Sequence, residues 1–340
     1  MSQINKPTDY FNTKLYSGTG STQNITGVGF QPDFTWVKSR TSAEAHVLRD
    51  VVRGNFRLNT ASTGAETDAT SSISGFVSDG FTVATADAVN NASQTYASWN
   101  WLGANGTASN TDGEQSATVS ANTTSGFSII KWTGNASGAK STVGHGLGVT
   151  PNVFITKRTD STSSWIVYHS AMDTTGDYYL NLETNGAKAS FTEVFGDGMT
   201  SSVCGLASFH TTGTYVGYAF AEKKGFSKFG SYRGNEQIGN SAPFIYTGFK
   251  PAWLMVKKYS AANHWIIWDN KRSTKNGFNI IDRKLYANLS NAENGADDVS
   301  FLSNGFKLNT NTGDWNELQD YIYMAFAEEP LVGDNPATAR

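Results

Sequence analysis

The sequence predicts an all-β protein made of three tandem antiparallel β-sandwich units, of jelly-roll or lectin-like type. Three observations carry that expectation. The first is a stretch that occurs three times, as Gly29-Phe30-Gln31-Pro32-Asp33-Phe34-Thr35-Trp36-Val37-Lys38, Gly148-Val149-Thr150-Pro151-Asn152-Val153-Phe154-Ile155-Thr156-Lys157 and Gly248-Phe249-Lys250-Pro251-Ala252-Trp253-Leu254-Met255-Val256-Lys257. Each copy is a Gly-x-x-Pro turn, an apolar and aromatic run, and a lysine. Such a run is strand-like, because aromatic and β-branched residues pack well on a pleated surface. Proline donates no ladder hydrogen bond and fixes φ, so it suits the entry of a strand.

The second observation is that more matches follow at fixed offsets. Asp50, His169 and Asp269 each lie 12 positions beyond the repeated lysine. Tyr96-Ala97-Ser98-Trp99, Tyr215-Val216-Gly217-Tyr218 and Tyr321-Ile322-Tyr323-Met324 close each unit. Lys38 to Lys157 and Tyr96 to Tyr215 both span 119 positions, so units one and two align without net insertion. Internal repetition on this scale fixes the organisation before any single motif does. The third is composition: 34 glycines, only 7 prolines and 16% charged residues read as many short strands joined by tight turns.

Taken in order, residues 1–11 form a polar N-terminal arm ending in Tyr10 and Phe11, expected to pack on the first unit or on a neighbouring subunit. Residues 12–103 are unit one. Residues 104–125 are almost free of large apolar side chains, which predicts a linker. Residues 126–222 are unit two, and 223–229 are a short connection carrying Phe226 and Phe229. That brevity predicts that units two and three pack together while unit one is hinged. Residues 230–328 are unit three, and 329–340 form an extended tail.

The net charge of −3 and the scattered Lys and Arg offer no row of phosphate contacts, so nucleic acid is not an expected partner. No apolar run approaches ~20 residues, which argues against membrane insertion. The opening MSQINKPTDYFN has no apolar core of a signal peptide, so synthesis in a cytoplasm is expected. Cys204 is the only cysteine and reads as a small buried hydrophobe.

No motif singles out catalytic residues, metal ligands or a cofactor site. Lys38, Lys157 and Lys257 could contact anions, but a strand-end lysine with its head in water is the simpler expectation. Asp50 with Arg53, and Asp269 with Arg272, read as structural contacts; unit two has His169 and Met172 there. The five histidines lack metalloprotease spacing, and neither a nucleophile elbow nor a phosphate loop occurs. Asp297-Asp298 and Glu328-Glu329 show no pairing that marks a glycosidase. Most of the 9 tryptophans stand in apolar runs at repeated positions, where core packing explains them. Trp268 and Trp315 are the candidates for surface stacking on a glycan.

The segments INKPTDYFNTKLYSGTG, GVGFQPDFTWVK, VGHGLGVTPNVFI, GFSKFGSYRGN, YTGFKPAWLMVKK and YIYMAFAEEPLVGDNPATAR together resemble a family of repeat-built proteins encoded by tailed phages, especially marine ones. The resemblance covers essentially the whole chain. It implies a bacteriophage virion structural protein, in the first place a tail fibre or spike component for host-surface attachment, with no enzymatic activity. A capsid decoration or cement protein, or a structural tail component without receptor binding, is the alternative, and a polysaccharide depolymerase comes last. The partners it implies are other virion proteins, a host-surface glycan or protein, and copies of the chain itself, a homotrimer being favoured. Unit two departs from the pattern at Val149 and His169.

Overall fold

The three lysine-ended runs become middle strands of three equivalent antiparallel sheets. A computed structural model describes residues 4–196, 198–275, 279–295, 298–332 and 336–337. In unit one the order across the sheet is Phe11–Ser17, Thr95–Trp101, Phe34–Ser39, Val47–Asp50, Phe56–Leu58. Unit two repeats it as Phe127–Thr133, Thr214–Phe220, Val153–Arg158, Ile166–His169, Tyr178–Asn181. Unit three gives Ser227–Arg233, Asp320–Pro330, Phe249–Lys258, Ile266–Asp269, Lys284–Tyr286. Register coincides as well as order: Trp36 lies opposite Trp99, Ile155 opposite Tyr218 and Met255 opposite Met324.

A smaller sheet covers one face of each large one. It comprises Gln23–Thr26, Gly80–Val83 and Ile73–Val77 in unit one, and Ser141–Gly144 with Val203–Leu206 in unit two. In unit three it is Phe244–Tyr246, Gly305–Leu308, Val299–Leu302 and Ile280–Ile281. Each sandwich has its own interior, around Phe81, Phe154 and Phe306 respectively. The fold class read from the repeat is therefore the one observed.

The second face of each large sheet is also buried. Side chains alternate along a strand, so Phe34 and Trp36 point opposite to Val37. Phe34, Trp36, Trp99 and Trp101 of unit one meet Phe127, Ile155, Tyr218 and Phe220 of unit two and Trp253, Met255, Met324 and Phe326 of unit three in one cluster. The three large sheets thus enclose a fourth, shared core. A void of about 20 Å³ lies within it, lined by Trp101, Tyr218, Phe220, Trp253 and Met324 among others. Its walls are apolar, and such voids stay dry.

Three expectations need correction. Unit one is not hinged, because its aromatic face is part of the shared core. The 104–125 segment is not a free linker: Ala108–Asn110 and Ala117–Asn122 add two strands to the sheet of unit two, pairing onto Phe127–Thr133. Small polar residues suffice there, because the strands lie at a sheet edge with one face in water. Of the two courses expected for the arm, packing on unit one is met, and the arm packs on unit three as well. Phe11 begins the first strand and packs on Trp101, Trp253 and Phe326, while Tyr10 meets Phe226. Glu329 and Pro330, assigned to the tail, complete the last strand, and Leu331 and Val332 beyond it are exposed.

Candidate functional site

The residues that sequence offered for chemistry converge on the seams between units. Lys38, Lys157 and Lys257 point to the shared face and are buried. Each ammonium donates to the carbonyl of the following residue, Ser39, Arg158 or Lys258, at 2.8, 2.7 and 2.7 Å. Lys157 also reaches Thr63 of unit one, and Lys257 reaches Asn185 of unit two. These lysines do not keep their heads in water, contrary to the expectation for a strand-end lysine. Burial lowers their pKa to about 8, 8 and 7.

The same relation links each unit to the next and the last to the first. Glu66 N–H donates to Thr159 O, Lys188 N–H to Tyr259 O, and Glu293 N–H to Arg40 O, at 2.8, 2.9 and 2.8 Å. The indoles of Trp165 and Trp265 donate to Asn59 O and Asn181 O of the preceding unit. At the matching position His46 Nε2 faces Tyr286 O at 2.9 Å. The indole of Trp36 donates to His46 Nδ1, so Nε2 carries the proton. Burial lowers the pKa of His46 to about 3. One chain therefore closes a ring with pseudo-threefold symmetry.

The Asp–Arg pairs belong to these seams. Arg53 Nε donates to Asp50 Oδ2 at 2.6 Å, and Tyr218 of unit two donates to the same oxygen at 2.8 Å. Arg272 holds Asp269 likewise, and the donor across the seam is Trp99 of unit one at 2.9 Å. The equivalent residue of unit three is Met324, which has no donor to give unit two. There the acceptor is replaced: His169 Nδ1 accepts from Ala171 N–H, and Nε2 donates to Tyr323 O at 3.1 Å. Glu66 and Glu293 extend the arginine pairs, whereas their counterpart Lys188 lies over the rings of Tyr178 and Tyr259. These groups are placed to bind one unit to another.

Trp268 and Trp315, the expected stacking residues, are buried inside unit three with their rings 5.5 Å apart and perpendicular. This corrects their assignment to the surface: Trp268 alternates with Ile267, so it points into the sandwich. Cys204 is buried, and burial raises its pKa. Among the described residues no group of three or more His, Cys, Asp and Glu is placed to hold a metal, and no helix is long and apolar enough to cross a membrane. Asp297 lies outside the described residues; Asp298 pairs with Lys284, and Glu328 with Lys250.

Sequence reasoning missed the exposed aromatics. Phe191 and Phe209 of unit two are 44% and 39% exposed, with rings 5.4 Å apart. His210 stacks beneath Phe209 at 4.8 Å and continues to Tyr215 and Trp132. The positions matching His210 are Asn90 and Asn316, facing the equivalent glycines Gly18 and Gly234. Both asparagines are satisfied; Asn90, for example, bonds Thr19, Gln23, Ser21 and Ala84. His210 Nδ1 has no hydrogen-bond partner. Unit two has thus exchanged a loop-binding amide for an aromatic stack that reaches the surface. A groove of about 440 Å³ beside unit three presents Tyr246, Leu331 and Val332 with Glu222 and Lys228.

Residues 6–330 match the profile of a family described as Domain of unknown function (DUF7483). No curated protein and no solved structure matches the chain.

Proposed function

The chain belongs to the DUF7483 family, and from that premise we propose that it is a non-catalytic structural protein of a phage particle, acting in attachment to the host surface. The observation that carries this reading is where the ionisable side chains go. The repeated Lys, Asp, Arg and His residues are buried in seams, bonded to backbone or to each other. What faces outward for recognition is the Phe191–Phe209 pair and the Tyr246–Leu331–Val332 groove. Exposed apolar clusters of this kind mark contact surfaces, and aromatic faces beside polar loops suit a glycan. The resemblance to phage virion proteins points to the same class. A homotrimer belongs to the reading, since repeated modules at a symmetric site gain avidity without stronger single contacts.

The test uses purified particles and recombinant protein. Mass spectrometry should find the chain in the particle, and the recombinant protein should compete with phage adsorption. A Phe191→Ala/Phe209→Ala variant that is folded should compete far less. Absence from the particle would remove the reading. Presence without any effect on adsorption would favour capsid decoration or a purely structural tail role. Light scattering that returns only monomer would remove the trimer.

A further inference from the structure

Lys284 and Asp298 form a lysine–carboxylate pair unlike the others among the described residues. Nζ lies 2.9 Å from Oδ2, and the two side chains are 9% and 1% exposed. In the other such pairs at least one partner is open to water; Lys258–Glu317, for example, has a glutamate 42% exposed. Lys284 stands on an edge strand of the large sheet of unit three, and Asp298 immediately precedes Val299–Leu302 of the small sheet. The pair therefore bridges the two layers of one sandwich. Register places Arg57 and Ser72 of unit one at the matching positions. Unit three has a primary amine and a carboxyl in their stead.

The surroundings favour chemistry over a simple ion pair. The Lys284 ammonium lies 4.3 Å from the centroid of the Trp315 ring, which packs on Trp268. Asp298 Oδ1 has no hydrogen-bond partner. A buried pair with an unsatisfied oxygen loses much of the solvation that makes ions stable in water. Burial, opposed by Lys284 and by the nearby Trp268 side chain and reinforced by the charge of Asp314, raises the pKa of Asp298. Because Nζ contacts an oxygen bonded to Cγ, it lies within roughly 4 Å of the carbon it would attack, close to a reactive approach.

We propose that Lys284 and Asp298 join in an isopeptide bond that staples the two sheets of unit three. A proton passes from the ammonium to the carboxylate within the pair. The neutral amine then attacks Cγ, forming an N–C bond. One C–O bond of the carboxylic acid breaks, and its hydroxyl leaves with an amine proton as water. Atoms and charge balance, and no oxidant, reductant or cofactor is needed. The geometry supplies proximity, and the burial of both side chains keeps bulk water away from the reacting pair.

Intact mass spectrometry of the purified full chain under denaturing conditions decides the matter. The wild-type chain should be lighter than its sequence by one water molecule, and a protease digest should contain a branched peptide joining Lys284 to Asp298. Lys284→Arg keeps the charge but removes the primary amine, so that chain should have its full mass. A wild-type chain at full mass would overturn the proposal. So would a loss of water that persists in Lys284→Arg, since that loss would arise elsewhere. The branched peptide is read in the wild-type chain, so the result stands whether or not the variant folds.

Discussion

His169 shows how one residue type answers to a neighbour more than a hundred positions away. Asp50 and Asp269 accept from Tyr218 and Trp99 across a seam, but unit two faces Met324 and a bare carbonyl. A carboxylate there would be buried against an acceptor with no arginine. His169→Asp is expected to destabilise the protein by about 3–5 kcal/mol, the usual result of an uncompensated buried charge. Adding Met172→Arg should recover part of that in a denaturant titration; no recovery would separate the aspartate from its arginine. The same imidazoles make stability depend on pH. Burial holds His46 at about 3 and His169 at about 4 in the folded chain, against about 6.5 when unfolded. The unfolded chain binds more protons in between, so stability present above about pH 6.5 falls as pH drops through the folded values. His169→Gln, which retains a donor but cannot titrate, should lose melting temperature less steeply between about pH 6.5 and 4. The lysines extend the trend upward. Lys257 titrates at about 7 when folded and about 10.4 when unfolded, so stability should rise across that interval. Lys257→Met should flatten the rise, and an unchanged slope would exclude this lysine.

At the scale of elements, the repeat is built on a cross-strand aromatic pair and a glycine. Tyr16–Tyr96, Trp132–Tyr215 and Tyr232–Tyr321 lie opposite each other in register and stack at 5.1, 5.5 and 4.9 Å. Two residues beyond the first member stand Gly18, Gly134 and Gly234. A Cβ on them would lie 2.1, 1.9 and 2.0 Å from the carbonyl oxygens of Asn91, Thr211 and Glu317. The glycine lets the loop that precedes the closing strand pass against the end of the first strand. Gly134→Ala should therefore cost about 1–3 kcal/mol, as overpacking does, measured by chemical denaturation. A neutral result would mean that the facing loop shifts freely.

At the scale of the whole molecule, the shared core makes the three units interdependent. A unit cut out at residues 126–222 would expose Phe127, Ile129, Trp165, Tyr218 and Phe220, all buried in the intact chain. Exposed patches of that size drive association. The isolated unit is expected to be insoluble or unfolded, while the full chain melts in one cooperative transition by calorimetry. Three separate transitions would show that the seams contribute little. The buried polar groups of the seams also specify which unit neighbours which, because each bond needs its partner on one particular side.

The sequence by itself determined the repeat, its strands, and the turns between them, because glycine, proline and aromatic residues act locally through φ, missing donors and pleat packing. Even the structural role of Asp50 with Arg53 was legible, since both partners lie within one turn. What only the tertiary structure decided is what covers each face. A run such as Trp253-Leu254-Met255-Val256 is apolar on both sides of the pleat, and alternation says that two faces exist without naming their partners. The sandwich interior took one face, and the other two units took the second. That choice buried Lys38, Lys157 and Lys257, enclosed Trp268 and Trp315, and replaced the expected hinge with a closed ring. The hydrogen bonds that fix it, such as Trp99 to Asp269, join residues far apart in sequence, where no local pattern records the pairing.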